Sequence, residues 1–198
     1  MGEEMSVNNY NNNPSSDSSN DNHNNSDPNI YFRNLSLAYF VAQPMEFLTK
    51  HKRLRESCLK YGNLERHYIE GIIHYFVEKD TTKGFFHLRQ ASDGGYRDGT
   101  YLYGLLMLAL QRFYKGKKHL DKLQWKTNLS VSDHCKARVM NTLSTICGIM
   151  NPGYYIAMVN LECLTNCNGK NISNHICEEC YYYKQLKEFV EFAMNQYN

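Results

Sequence analysis

The stretch HYIEGIIHYF, at residues 67–76, has a close counterpart later in the chain, the stretch TYLYGLLMLA. Each contains a tyrosine, two further residues, a glycine and then mostly apolar side chains. Tyr68 and Gly71 of the first stretch are matched 33 residues later by Tyr101 and Gly104. A fixed period of about 20–50 residues is typical of repeat architectures, so the two stretches predict two copies of one helical unit.

Helical periodicity continues around the first stretch. Upstream, apolar residues recur every three or four positions between Pro44, which suits a first helical turn, and Gly62, which suits the residue after a helix end. Asn63 and Asp80 carry side chains that cap helix starts, so they predict a pair of helices that ends at Gly94-Gly95. Because the connection inside this pair is short, the two helices are predicted to lie antiparallel.

The second stretch begins a further group of helices. Asp98 predicts the start of the helix that carries it, a short helix is predicted after Gly116, and a longer one after Ser132. The last helix is predicted at about residues 182–196, whereas residues 151–180 are predicted to be irregular. We find no alternating pattern typical of strands, so the predicted fold class is all-α, with antiparallel helix pairs stacked as a short solenoid.

The two glycines lie inside predicted helices, where glycine costs about 1 kcal/mol relative to alanine. A cost repeated at a fixed period indicates that the missing side chain lets the partner helix approach closely. Tetratricopeptide-type repeats use small residues in this way at periods of about 34 residues. We therefore assign an architectural role, rather than a chemical one, to seven residues: Tyr68, Gly71, Ala91, Gly95, Tyr101, Tyr103 and Gly104.

These residues carry a resemblance to a known family. The run at about 65–106 resembles the tetratricopeptide-like, Sel-type repeat region that follows the F-box in a group of plant F-box proteins. The matching marks are the Tyr-x-x-Gly helix, a helix that ends in Ala-x-x-x-Gly, the Tyr-x-Tyr-Gly helix, and a cysteine-containing segment before the aromatic run at 181–183. The resemblance covers roughly residues 45–198, and it implies a protein-interaction domain linked to the recognition of ubiquitin-ligase substrates.

One feature of that family is not found in the sequence. We find no recognisable F-box ahead of the repeats in this sequence, so the resemblance does not carry over a Skp-type adaptor as an expected partner. The partner that we expect is a protein or a peptide bound on the repeat surface.

Composition divides the chain into three parts. Residues 1–43 are predicted to be a disordered Asn/Ser-rich tail and lead-in, because residues 1–29 have too few apolar side chains to form a core. Residues 44–150 are the predicted repeat domain, and residues 151–198 are a predicted cysteine-containing loop and C-terminal helix packed on the same domain.

The 22 basic and 20 acidic side chains give a net charge of +2, which by itself indicates neither nucleic acid nor a membrane as a partner. No apolar run is long enough to span a bilayer, so we expect a cytoplasmic or nuclear protein.

The cysteine-rich segment is the one constellation with metal-ligand chemistry. Two closely spaced cysteine pairs on loops can supply the tetrahedral ligand set of a structural zinc ion. The predicted ligands are Cys163, Cys167, Cys177 and Cys180, and His175 could replace one of them. The alternative is that the four are reduced thiols without a metal. The remaining cysteines, Cys58, Cys135 and Cys147, fall on helical stripes and are predicted to be core thiols.

Motifs of enzyme active sites are absent from the sequence. The glycine-rich run ASDGGYRDG joins two helices and does not follow a strand, so it lacks the context of a phosphate-binding loop. His67, His74 and His87 are interpreted as packed or surface residues, and the basic clusters at 50–53 and 115–118 as solvated helix surface. The sequence therefore predicts a non-enzymatic interaction module. The alternative is a zinc-loop regulatory or nucleic-acid-binding protein.

Overall fold

The computed structural model describes residues 27–161 and 177–196, and every regular element in these two ranges is helical. In chain order the helices are α1 (Pro28–Asn34), α2 (Ala38–Ala42), α3 (Pro44–Thr49), α4 (Lys52–Lys60), α5 (Leu64–Ile72), α6 (Thr81–Asp93), α7 (Arg97–Ala109), α8 (Phe113–Asp121), α9 (Leu129–Leu143), α10 (Pro152–Leu161) and α11 (Glu178–Asn195). A π-helical turn, Ile73–Val77, continues α5. The all-α prediction is confirmed for the described part of the chain.

Two helix pairs form the repeat region. Helix α5, together with the π-helical turn, packs along α6, and α7 packs along α8. Helix α6 also packs on α7, so the two pairs are stacked side by side. The predicted caps are present, because Asn63 accepts a hydrogen bond from the Arg66 amide at 2.9 Å and Asp80 accepts one from the Lys83 amide at 3.0 Å. Gly95, at φ +88°, supplies the left-handed turn between the pairs.

Helix α7 lies at the centre of the molecule. Every residue between Asp98 and Ala109 is buried, and the helix contacts α5, α6, α8, α9, α10 and α11. The burial of each large apolar side chain contributes about 1.5–3 kcal/mol, so this helix and its neighbours dominate the apolar core. Helix α7 is thus enclosed by other helices, whereas its partner α8 buries only Gly116 and Leu120.

The lead-in from residue 27 is structured, in contrast to the prediction of a disordered tail and lead-in over residues 1–43, and residues 1–26 of that prediction lie outside the described residues. Helices α1 and α2 occupy much of residues 28–42, and Leu37 between them is only 1% exposed. The side-chain amide of Asn63 donates hydrogen bonds to the carbonyls of Phe32 and Leu35. The backbone amide of Leu37 donates one to the Glu65 carboxylate. These contacts with the start of α5 hold the segment in place, and neighbouring composition alone does not reveal them.

Two further sequence predictions are corrected. The helix predicted from Pro44 to Gly62 is two helices, separated at His51, whose φ of 60° is left-handed. The stretch predicted to be irregular from residue 151 begins with helix α10, whose buried positions Tyr154, Ala157 and Leu161 follow a helical spacing. Pro152 at the first position of that helix was the available signal.

Cysteine burial also differs in one case from the prediction of three core thiols. Cys58 and Cys135 are buried as predicted, but Cys147 is exposed. It lies after the end of α9, where the helical stripe used for the prediction no longer applies.

Within the described ranges, none of the helices combines the length and the apolar character that crossing a bilayer requires.

Candidate functional site

Both repeat glycines lie against the second helix of their own pair. A Cβ atom added at Gly71 would lie 2.6 Å from Cγ of Leu88 and 3.0 Å from its backbone nitrogen. A Cβ atom added at Gly104 would lie 2.9 Å from Cγ of Leu120 and 3.1 Å from the carbonyl oxygen of Gly116. Leu88 and Leu120 are 32 residues apart, so the same contact is made in each pair.

The structure adds two glycines on the opposite helices, which the sequence analysis did not assign. A Cβ atom at Gly84 would lie 2.9 Å from Cα of Tyr75, and one at Gly116 would lie 2.8 Å from the carbonyl oxygen of Gly104. Gly116 lies inside α8 rather than before it. Each pair therefore has a glycine on both helices, and the 32-residue spacing of Gly84 and Gly116 was the signal that could have found them.

The other residues assigned to the architecture are mostly buried. Tyr68 and Tyr101 are fully buried, and the Tyr101 hydroxyl donates a hydrogen bond to Oε1 of Gln185 in α11 at 2.8 Å. Ala91 lies where α6 meets α7, 2.7 Å from the position of a Cβ atom built on Gly99. Gly95 is exposed in the turn, so its contribution is conformational. Tyr103 is also buried, and its ring packs edge-on against the His119 imidazole.

An open cleft of about 770 Å³ lies beside the stacked pairs, between α2, the start of α7 and α9. Its wall is partly apolar and partly charged. The lining residues are Ala38, Val41, Ala42, Glu65, Gly95, Tyr96, Arg97, Asp98, Ala137, Arg138, Asn141 and Thr142. Clefts of this size between helices are a common location for binding sites in helical proteins.

A bidentate ion pair fixes the floor of the cleft. Arg138 donates from Nε to Oδ2 of Asp98 at 2.8 Å and from Nη2 to Oδ1 at 2.6 Å. The Asp98 side chain is 4% exposed, whereas that of Arg138 is 52% exposed, so the guanidinium still faces solvent.

Burial and the nearby Asp98 carboxylate raise the pKa of Cys135 to about 12. This thiol therefore stays protonated near neutral pH, which makes it a poor nucleophile.

The predicted zinc ligands are only partly visible. Cys163, Cys167 and His175 lie outside the described residues. Cys177 immediately precedes α11, and Cys180 lies in its first turn, so both cysteines lie at the N-terminal end of that helix. The same end is joined to the repeats by ion pairs from Glu179 to Lys117 at 2.6 Å and from Glu178 to Lys126 at 2.5 Å. The zinc site remains a prediction.

The two basic clusters are partly paired with acidic side chains. Lys50 pairs with Glu46 at 3.0 Å, and Lys117 with Glu179 as described above. Such exposed pairs contribute little to stability, but they lower the net positive charge that a nucleic acid would meet.

Comparison with known proteins gives a consistent result. The family model described as "Plant tetratrico peptide repeats" matches residues 25–144, which is more than half of the chain. The chain is 33% identical over 93 residues to "F-box protein At2g35280" of Arabidopsis thaliana, a match that covers 47% of this chain and 56% of the relative. It is 30% identical over 87 residues to "Putative F-box protein At1g67623" of the same plant, over 42% of this chain and 28% of that relative.

The chain thus spans about half the length of the first relative and less than a third of the second. No solved structure gives a significant match.

Proposed function

The chain belongs to the plant tetratrico peptide repeat family, and from this premise we propose that it is a non-enzymatic module that binds a segment of a partner protein in the cleft between α2, α7 and α9. The observation that carries the proposal is the position of this cleft beside the stacked helix pairs, since repeat arrays generally use such surfaces for binding. The family type is one that typically serves as a scaffold for other proteins.

The charges of the cleft indicate the kind of segment that fits. Asp98 is buried and paired, and the half-buried Glu65 carboxylate accepts a hydrogen bond from the Leu37 amide. Because Arg138 is itself paired with Asp98, the accessible charge that remains is the exposed guanidinium of Arg97, which borders an alanine-rich wall. We infer that the partner segment carries small apolar side chains next to a carboxylate, because arginine binds carboxylates with two parallel hydrogen bonds.

A cleft-filling substitution tests this function. Peptides selected on the full chain from a library with one fixed acidic residue are labelled with a fluorophore, and their affinity is measured by fluorescence polarisation. Ala137→Trp should weaken binding at least tenfold, because the indole would occupy the cleft. His134→Trp, an exposed position of the same helix outside the cleft lining, is the matched control and should bind like the parent.

Equal binding by both tryptophan variants would place the peptide elsewhere and contradict the proposal. The alternative, a regulatory or nucleic-acid-binding protein, predicts instead that the chain binds single-stranded nucleic acid with an affinity that falls steeply with salt.

We further propose that this binding serves substrate recognition in the ubiquitin pathway. The support is that both relatives are named as F-box proteins. The expected result is that the chain competes with a full-length relative for the selected peptides and shows no direct binding to a Skp-type adaptor.

We also propose that Cys163, Cys167, Cys177 and Cys180, with His175 as the alternative ligand, hold one structural zinc ion. The arrangement of Cys177 and Cys180 within one turn at the start of α11 supports it. Metal analysis of the purified chain tests the proposal, and the loss of one zinc ion from a Cys177→Ser/Cys180→Ser variant is the expected result.

A further inference from the structure

A second group of metal-ligand side chains lies on the first helix pair, far from the cysteines in sequence. Glu70, His74 and His87 each offer one ligand atom, and these three atoms all lie within 4.8 Å of one another. Glu70 and His74 come from α5 and the π-helical turn, and His87 comes from α6. Glu70 is buried and the two histidines are half-buried, so the group is partly shielded from solvent but remains reachable from it.

The surroundings of His74 favour a cation at this point. Its Nδ1 lies 2.6 Å from Oε2 of Glu78, and its Nε2 lies 3.2 Å from Oε2 of Glu70. A neutral imidazole donates from one nitrogen only. When Nδ1–H donates to Glu78, the lone pair of Nε2 faces a carboxylate oxygen, and a bound cation would satisfy both acceptors. A carboxylate that orients a histidine in this way is the usual outer contact of a metal-binding histidine.

His87 has an orienting contact of its own. Its Nδ1 lies 3.0 Å from Nδ1 of His67, so one of these two nitrogens donates and the other accepts. If His87 donates, its Nε2 keeps a lone pair that can bind a metal. The rings of His74 and His87 are stacked, with centroids 5.5 Å apart and planes 12° apart. Both histidines are therefore held in fixed orientations by neighbours on the same helix pair.

The backbone at this place is also unusual. The helix widens into the π-helical turn Ile73–Val77, which carries His74, and the Glu78 amide donates to the carbonyl of Ile73 at 3.0 Å. Single π-helical turns within α-helices occur frequently at functional sites. This observation is independent of the side-chain distances.

Two arginines oppose a cation here and limit its affinity. Arg66 forms an ion pair with Oε1 of Glu70, and Arg55 lies 3.4 Å from the same oxygen. Their positive charges repel a metal ion, but they engage Oε1 and leave Oε2 directed at His74. We therefore expect weaker binding than at a site of four thiolates.

We propose that Glu70, His74 and His87 bind one divalent zinc ion, and that Glu78 and His67 orient the two histidines. Two imidazoles and one carboxylate are a known ligand set for zinc, and three protein ligands leave one position open for water or for a donor from a partner protein. Imidazole nitrogens suit zinc well, and the soft sulfur ligands of the cysteine segment are absent from this group.

The experiment counts zinc ions on the full chain. Metal-free Cys177→Ser/Cys180→Ser protein is titrated with zinc chloride by calorimetry and then analysed for bound metal after dialysis. We expect one zinc ion per chain to remain, and a further His74→Gln/His87→Gln change to remove it. His119→Gln, at the position of the second pair that corresponds to His87, is the matched control and should keep the ion.

The orienting role of Glu78 has a separate readout. Glu78→Gln should keep the stoichiometry of one ion and weaken its affinity about 10- to 100-fold. An unchanged affinity would contradict that role, and zinc binding that survives His74→Gln/His87→Gln would overturn the site.

A second measurement covers the case in which the cysteine variant does not fold. Cobalt(II) is titrated into the unsubstituted chain, and the thiolate charge-transfer bands are compared with the ligand-field bands. An equivalent of cobalt that binds without thiolate bands supports the site. Cobalt that binds only with thiolate bands, or not at all, shows that the cluster carries no metal and overturns the site. Neither result depends on whether a peptide binds in the cleft.

Discussion

The two helix pairs of the repeat region share one packing scheme but differ in their chemistry. Glycine occurs at matching positions on both helices, and the leucines that face the first glycines also match, at Leu88 and Leu120. His87 likewise corresponds to His119. At the positions of Glu70 and His74, however, the second pair has Tyr103 and Met107, so the second pair lacks the ligand set of the first.

The difference follows from where each pair lies. Helix α7 of the second pair is surrounded by other helices, and its buried positions are almost all apolar. Helix α5 of the first pair packs against fewer helices and buries Arg66 and Glu70 as an ion pair. Close helix packing thus constrains both pairs equally, whereas polar and ligand-type side chains persist only where water or a charged partner remains within reach.

The largest effect is expected where leucine replaces either repeat glycine. Gly104→Leu should lower the free energy of unfolding by about 4–5 kcal/mol, because a large side chain inside a closed helix contact must separate the helices. Gly71→Leu should behave similarly, since the two pairs share the contact. Urea denaturation measures both, with Gly95→Asn in the exposed turn as the control. If either leucine variant unfolds like the parent, the close-packing argument is wrong.

Alanine at the opposite glycines gives a finer comparison. Gly84→Ala and Gly116→Ala should lower the free energy of unfolding by about 1–2 kcal/mol, since overpacking costs about 1–3 kcal/mol and alanine recovers up to about 1 kcal/mol of helix propensity. The facing atoms at both positions include backbone atoms, which cannot move aside. A stabilised alanine variant would show that the helices separate easily.

A further prediction concerns the ion pair that only the first pair contains. Glu70→Leu, measured in the presence of a chelator, should lower the free energy of unfolding by about 3 kcal/mol, because it leaves the Arg66 guanidinium buried without its partner. The double variant Arg66→Met/Glu70→Leu should lose less than Glu70→Leu alone. Equal losses in the two variants would mean that Arg66 finds other partners, and the contrast between the pairs would be weaker than we describe.

The sequence predicted the parts of the fold that packing dictates. The 33-residue spacing of Tyr68 and Tyr101 placed both repeat helices, and Asn63 and Asp80 marked helix starts that the structure confirms. Helices α1 and α2 were missed because what holds them is contact with residues some 28 positions away, such as Leu37 with Glu65.

The sites were harder to predict than the fold. The sequence assigned Gly95 of the cleft to the architecture but assigned no cleft residue to binding, because the walls come from helices that are distant along the chain. The histidines were interpreted as packed or surface residues, since their mutual approach depends on the π-helical turn and on α6. Such a juxtaposition leaves no periodic pattern in the sequence.

Another prediction compares the two repeat tyrosines. Tyr101→Phe should lower the free energy of unfolding by about 1–2 kcal/mol, because it leaves the buried Oε1 of Gln185 without its donor. The Tyr68 hydroxyl lies beside Thr142 but makes no hydrogen bond of standard length within the described residues, so Tyr68→Phe should cost less than Tyr101→Phe. Thermal unfolding of the two variants tests the difference. Equal costs would show that the hydrogen bond to α11 does not distinguish the two tyrosines.

The smallest effect is a pH dependence that belongs to the second pair. Burial, followed by the nearby Lys122, lowers the pKa of His119 to about 4, and Asp93 opposes this shift only in part. The imidazole also hydrogen-bonds to the Ser92 hydroxyl at 2.9 Å. Between pH about 6.5 and about 4 the unfolded chain therefore binds a proton here that the folded chain does not, so this contribution to stability is complete above that range and is lost as the pH falls through it.

His119→Gln removes this titration. Urea midpoints measured across that pH range should fall less steeply for the variant than for the parent, with the two converging toward lower pH. Half-exposure of the ring keeps the difference small, because solvent screens the charge. If the midpoints of the variant and the parent instead change in parallel with pH, the folded protein accommodates the charged His119 imidazole. Water would then reach this ring in the second helix pair more freely than its burial indicates.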